Sequence, residues 1–344
     1  MEQGRRVPIV FRVAAGSRVG FGHLVRCRSL ARTMGVASTV SVRGSVRTQA
    51  IAASMGWAVV DATDDAGIRT LDPALIVVDD PSRAHAAAWV RRARRLGVPV
   101  ASIHDLGIGH VESDLVIDGS IATSRSTEAA GLGRTKPPAL SGPPYAILDP
   151  AVLDARQRGR RPVPHRVLIA LGGGAHVYAV AARLSNAIAA KIPDAEIHVA
   201  RGFSVPRRPA SLERASWVSA PGGLAAELSE ATVAVVGGGV TLYEACAIGV
   251  PVVAMAVTPA QHFTVRGMVC RGAAMDGGRP PIDAQVIQRA AEAAATLMRH
   301  DEARRRQSHA ATQAVDGRGA FRVADRLRRL MDAGRHLRAG EHAA

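Results

Sequence analysis

Two glycine-rich runs, far apart in the chain, carry the residue types that could act on a phosphorylated ligand. Gly20-Phe21-Gly22-His23 places a histidine directly behind two glycines. Glycine lets a backbone approach a ligand closely, and the free N–H groups of a helix start favour negative charge. At that positive end an imidazole is pushed toward its neutral form, the state a general base needs near pH 7. His23 is therefore the candidate base. Gly237-Gly238-Gly239-Val240-Thr241 follows an apolar run, and Glu244 stands one turn further on. A helix N-terminus behind consecutive glycines can cradle a diphosphate, with the Thr241 hydroxyl as an additional donor. A carboxylate at Glu244 can then accept both hydroxyls of a ribose. Gly172-Gly173-Gly174 has no helper acid, and either touches the same ligand or allows a tight turn. Cys27, one helical turn after His23, reads as structural. His104, Asp105 and His110 form a polar loop without a full metal-ligand set.

Several chemistries are excluded by what these runs lack. The first has no third glycine at the dinucleotide spacing and no ribose-binding acid after the second strand, which argues against NAD. No glycine run ends in Gly-Lys, which argues against ATP hydrolysis. Nothing in the pattern calls for a cofactor.

The elements that must position these residues are short β-branched runs alternating with alanine- and arginine-rich helical stretches. Strands are expected at Val7 to Val13, Ser38 to Val42, Leu75 to Val78, Val98 to Ile103 and Leu115 to Ile117. Helices are expected at His23 to Met34, Gln49 to Met55 and Ala84 to Leu96. Thr123 to Pro164, rich in Gly, Pro, Ser and Arg, breaks the rhythm and reads as an inter-domain connection with a small docking element at Tyr145 to Leu148. The alternation restarts with strands at Val167 to Leu171, Ile197 to Ala200, Trp217 to Ser219, Val233 to Val236 and Val250 to Met255. Helices accompany them at Val177 to Ala190, Leu242 to Ile248 and Ala284 to Met298. A basic helix, Phe321 to Met331, closes the chain, with Gly334 as its stop signal. Strand–helix alternation predicts parallel, doubly wound sheets. A chain of 344 residues exceeds one ordinary core, so two Rossmann-like domains are expected, 1–150 and 151–344.

Hydrophobic content of 47% with 21% charged residues is that of a globular chain. No apolar run is long enough to span a membrane. The charged start, Met1 to Arg6, predicts no secretion signal, and three scattered cysteines fit reduced thiols, so a cytoplasmic location is expected. The net charge of +15 is nearly all arginine, Lys136 and Lys191 being the only lysines. It reads as a solvated basic surface that could also attract an anionic nucleotide-sugar or touch an anionic membrane peripherally. Without aromatic interleaving it does not predict nucleic-acid binding.

The stretch Gly20 to Cys27, followed by Leu30-Ala31, resembles the N-terminal signature of the UDP-sugar hydrolases of pseudaminic acid synthesis. Proteins labelled spore-coat polysaccharide glycosyltransferases belong to the same broader group. Val77-Val78-Asp79, Gly142 to Leu148, Gly237 to Glu244, Gly249-Val250-Pro251, Gln261 and Asp316 to Val323 are similar as well, in the same order. The resemblance implies a GT-B fold, two Rossmann-like domains with a ligand cleft between them, related to the N-acetylglucosaminyltransferase of murein synthesis. It implies that His23 activates a water against the anomeric carbon of a UDP-linked 2,4-diacetamido-trideoxy sugar. Arg12, Gly20, Gly22, Arg26 and Asp79 would face the substrate from the first half. Gly237, Gly238, Gly239 and Thr241 would hold the diphosphate, Glu244 the ribose and Gln261 the sugar, without a metal.

Four positions depart from that pattern. Arg-x-Asp on the first strand reads Arg12-Val13-Ala14, and Asp-x-Tyr reads Asp79-Asp80-Pro81. Glu-Asn-Gln reads Pro259-Ala260-Gln261, and a pair of aspartates reads His104-Asp105. All four fall on the sugar side. Hydrolysis is accordingly the leading expectation, with transfer to a glycan or lipid acceptor on the same fold, or a weakened UDP-sugar-binding protein, as its rivals.

Overall fold

The computed structural model describes residues 9–16, 19–105, 110–121, 139–174, 177–203 and 212–341. Val7 and Pro8 of the expected first strand and residues 123–138 of the expected connection lie outside them. The first sheet contains β1 (Ile9–Ala14), β2 (Ser38–Arg43), β3 (Ala58–Val59), β4 (Leu75–Asp79), β5 (Val100–Ile103), β6 (Leu115–Asp118) and β7 (Ala139–Ser141). They lie in the order 3-2-1-4-5-6-7 with parallel pairings. Around them run α1 (Gly22–Met34), α2 (Val46–Ser54), α3 (Asp65–Leu71) and α4 (Arg83–Arg95), and α5 (Pro150–Arg158) leads on. The second sheet contains β8 (Arg166–Ala170), β9 (Glu196–Ala200), β10 (Ser216–Val218), β11 (Val233–Gly237), β12 (Val252–Met255) and β13 (Met275–Asp276). Its order is 10-9-8-11-12-13, again parallel. With it go α6 (Tyr178–Lys191), α7 (Ala225–Glu230), α8 (Val240–Ile248), α9 (His262–Val269), α10 (Ala284–Arg299) and α11 (Asp301–Ala314). Last comes α12 (Gly319–Glu341).

The expected pair of doubly wound sheets is present. In each, strand order reverses at the centre, between β1 and β4 and between β8 and β11, where open α/β sheets bind ligands at their carboxyl edge. The glycine runs follow β1, β8 and β11 at those edges.

The segment expected to be a plain connection is more structured. Ala139–Ser141 joins the first sheet as its seventh strand, too short to show a pattern. Asp149 caps α5 through Ala151 N at 3.0 Å, and Pro150 occupies the first helical position, where its missing N–H costs nothing. Between them Ile147 enters the first core while Ala146 and Leu148 enter the second.

Gly334 does not stop the last helix. It lies inside α12, where a Cβ would collide with Pro99 Cγ, so its role is close packing. Through Ala320, Val323, Ala324, Leu327 and Met331 this helix joins the core of the first sheet, beside Phe11 and Leu24 of β1 and α1. Arg328, expected on a basic surface, donates to the carbonyls of Thr33 and Met34 at 3.0 and 3.2 Å. Among the described residues no helix is long and apolar enough to cross a membrane.

Candidate functional site

β1 delivers the chain to a loop closed by paired backbone bonds between Gly16 and Gly20, 3.0 and 2.7 Å long. Gly20 adopts φ +85°, a region closed to most side chains. The loop feeds α1, whose N-cap, Phe21, supplies no side-chain cap. His23, Arg26 and Cys27 share one helical face by their i, i+3, i+4 spacing, and that face meets Asp79 at the end of β4.

Asp79 is fully buried and surrounded by donors. Arg26 grips it with two bonds, Nε to Oδ2 and Nη2 to Oδ1, each 2.6 Å. Cys27 Sγ reaches Oδ2 at 3.4 Å, and His23 Nδ1 lies 2.8 Å from Oδ1. Burial alone would raise the Asp79 carboxyl, but the charges of Arg26 and His23 and their hydrogen bonds outweigh it and hold the group well below the usual carboxylate range. Asp79 Oδ1 and Arg26 Nη2 both lie within hydrogen-bond reach of Nδ1, and the carboxylate favours a proton there, the tautomer that leaves Nε2 with its lone pair. The His23 side chain keeps 15% of its exposure and Asp79 none, so a ligand can reach the imidazole but not the acid behind it. Arg26 continues outward, with Nη1 on Asp105 Oδ1 at 2.6 Å.

Asp79, with no exposed surface, and Arg26, 11% exposed, stand behind His23 and hold it. Arg12 is not brought to the cluster. β1 alternates its faces, and Arg12 lies on the one carrying Trp89, with Nη1 bonded to Ser41 Oγ at 2.8 Å and its guanidinium 4.9 Å from the Trp89 ring. Asp80 belongs to that face too, gripped by Arg43 at 2.6 and 2.7 Å.

The second loop is built differently. A Cβ on Gly237 would sit 2.5 Å from Leu171 O, and one on Gly238 2.8 Å from Val265 Cγ2 and 2.9 Å from Gln261 Cβ. Packing therefore requires these two glycines. Gly239, the N-cap of α8, meets nothing nearer than Gln261 Nε2 at 3.8 Å, which leaves room for a ligand against its backbone. The Gln261 carboxamide is oriented by Val257 N, which donates to Oε1 at 2.9 Å and leaves Nε2 toward Gly239. Thr241 is half-buried in the first turn. Glu244 is 7% exposed, and burial, with Asp149 nearby, pushes its carboxyl up to about 7.

The two loops face one another. A Cβ on Gly22 would lie 4.0 Å from Val240 Cγ2, and the rings of Phe21 and Phe203 are 5.7 Å apart. At the floor, Tyr243 OH accepts from Ile121 N at 2.8 Å across the two halves. Gly22 beside Val240 thus brings the His23 loop against the start of α8, with Gln261 beside Gly239. Gly173 is a packing glycine, its Cα close under Gly202. Tyr243 and Asp149 are neighbours that no sequence pattern singled out; Tyr243 adjoins Glu244, which is the one local hint. His104 is buried, bonds Ser102 Oγ at 2.8 Å and is lowered to about 4, first by burial. His110 pairs with Asp118 at 3.1 Å. No group of three potential metal ligands occurs among the described residues.

No family model matches the chain. It is 31% identical over 176 residues to the spore coat polysaccharide biosynthesis protein SpsG of Bacillus subtilis (strain 168). The match covers 48% of this chain and 50% of that protein, so the chain spans about half the length of the curated relative it matches. Among solved structures, the UDP-GlcNAc 2-epimerase of Neisseria meningitidis bound to UDP-GlcNAc superimposes with a TM-score of 0.59. It is 12% identical over 93% of this chain and 100% of the epimerase. The spinosyn forosaminyltransferase SpnP superimposes with a TM-score of 0.62, at 16% identity over 95% of this chain and all of SpnP. The fold is GT-B. Its two facing sheets are the frame in which the His23 loop and the α8 loop meet.

Proposed function

We propose that the chain is a glycosyl-transfer enzyme that takes a UDP-sugar into the cleft and passes its glycosyl group to a hydroxyl acceptor. One observation carries this reading. A histidine whose Nδ1 faces a buried carboxylate stands on the loop opposite a helix start that offers the Gly239 backbone, the half-buried Thr241 hydroxyl and the buried Glu244 carboxyl. In this scheme the diphosphate lies against Gly238, Gly239 and Thr241 at the positive end of α8, the ribose diol donates to Glu244, and Gln261 Nε2 donates to the sugar. Nε2 of His23 takes the acceptor's proton as the acceptor oxygen bonds the anomeric carbon. The bond from that carbon to the diphosphate oxygen breaks with its electron pair, and the α8 N–H groups stabilise the departing UDP.

Transfer is preferred to hydrolysis, the leading expectation from sequence. SpsG is a polysaccharide biosynthesis protein and SpnP a transferase, and both lend weight to an acceptor other than water. Hydrolysis is the second reading, favoured by the Gly20 to Cys27 signature. The deciding experiment incubates the protein with a UDP-linked 2,4-diacetamido-trideoxy sugar, with and without an alcohol acceptor, and follows UDP by chromatography. Release that requires the acceptor and is lost in His23→Ala supports transfer. Equal His23-dependent release in water alone moves the assignment to hydrolysis, and failure to bind UDP removes both.

A further inference from the structure

A cavity of about 540 Å³ opens at the opposite end of the second sheet, where β8 and β11 begin and α10 gives way to α11. β8 alone, five residues long, separates it from the glycine loops by roughly 17 Å. Arg160, Arg304 and Arg305 line it, with Asp301 as the one acid, while Pro162 and Met298 supply apolar wall.

The charges there do not balance. Arg305 shares Asp301 and Glu302, and Arg304 spends its bonds on Asp301 and on the carbonyls of Leu297 and Met298. Arg160 donates to the carbonyls of Gly249 and Ala231, and no carboxylate pairs with it among the described residues. Its Nε is buried without a partner. Burial, then the charge of Arg304, lowers this guanidinium to about 10. Arg160 is partly buried; a guanidinium withdrawn from water is normally paired, and its planar fork matches phosphate oxygens well. A volume of this size suits a small organic ligand rather than a bare ion.

We infer that this cavity is a second anion site, distinct from the nucleotide cleft, which takes the phosphate group of a small phosphorylated compound. The site does not depend on the reaction assigned to the cleft. Binding of inorganic phosphate and of ribose 5-phosphate to the full chain, followed by calorimetry with the cleft saturated by UDP, tests it. Both should bind, at least tenfold more weakly in Arg160→Met and in Arg305→Glu, with UDP affinity unchanged in each. Arg305 is solvent-exposed, so its variant reports even where Arg160→Met fails to fold. Tighter binding of ribose 5-phosphate than of phosphate identifies an organic ligand, and equal binding a free phosphate site. Loss of phosphate binding on UDP saturation, an equal response to sodium chloride at matched ionic strength, or no weakening in Arg305→Glu overturns the inference.

Discussion

The two halves of the cleft are prepared for a ligand in opposite ways. On the first, every polar group behind His23 is already engaged: Asp79 takes four donors, and Arg26 bridges it to Asp105. On the second, Gly239 meets nothing nearer than Gln261 Nε2 at 3.8 Å and Glu244 sits buried with an elevated carboxyl. A satisfied network orients a reactive group before the substrate arrives; an unsatisfied one gains its partners from the substrate. Lesions in the first half should therefore act on turnover and stability, and lesions in the second on affinity.

The largest effect expected is on turnover. His23→Ala removes the base and should lower the rate by roughly 10²–10⁴-fold, read from UDP release at saturating donor. A rate within threefold of wild type removes His23 from the chemistry. Next comes stability. Asp79→Ala leaves the Arg26 guanidinium buried without its main partner and should cost about 3–5 kcal/mol in urea unfolding, with Asp105 the one acid left to it among the described residues. Because the folded Asp79 carboxyl is depressed, its contribution is present above the ordinary carboxylate value near 4 and is lost as pH falls below it. A wild-type stability that stays flat between pH 5 and pH 2, relative to Asp79→Ala, contradicts the pairing.

A smaller and more diagnostic effect belongs to Glu244. Its folded carboxyl is raised to about 7, so the protonated form stabilises the free protein below the unfolded value, and that contribution is lost as pH rises through 7. Ribose hydroxyls donate to the ionised form. UDP binding should accordingly release a proton near pH 6–7 and weaken as pH falls, and Glu244→Gln should abolish both trends. Calorimetry in buffers of different ionisation enthalpy counts the proton directly. The smallest effect concerns Gly334: Gly334→Ala, forced against Pro99, should destabilise by about 1–3 kcal/mol without changing UDP affinity.

The contrast also explains what could be read from the sequence. The second loop is local: glycines, threonine and glutamate lie within eight residues, and the motif announces a helix start and what it holds. The alternation of apolar strands and alanine-rich helices likewise exposed both sheets. The first half's network is not local. His23 and Asp79 are 56 residues apart, and only the strand order brings β4 beside β1. The pairing of Arg26 with Asp79 was not legible because charge in a motif carries no sign of its partner, and one strand position does not say which face Arg12 serves. Two features of the helices depend on packing that the sequence does not show. Gly334 resembles a stop until Pro99 is seen against it, and α11 is nearly all polar, held by ion pairs and by Gln307 Oε1 accepting from Val252 N at 2.6 Å.

Calorimetric titration of UDP into wild type, His23→Ala and Glu244→Ala tests the division of labour most directly. Equal affinity in His23→Ala, with a loss of roughly 1–3 kcal/mol in Glu244→Ala, is the result the account predicts, since only the second variant leaves the ribose hydroxyls without an acceptor. Unchanged affinity in Glu244→Ala, or a comparable loss in His23→Ala, would contradict it, because the nucleotide would then lie elsewhere in the cleft.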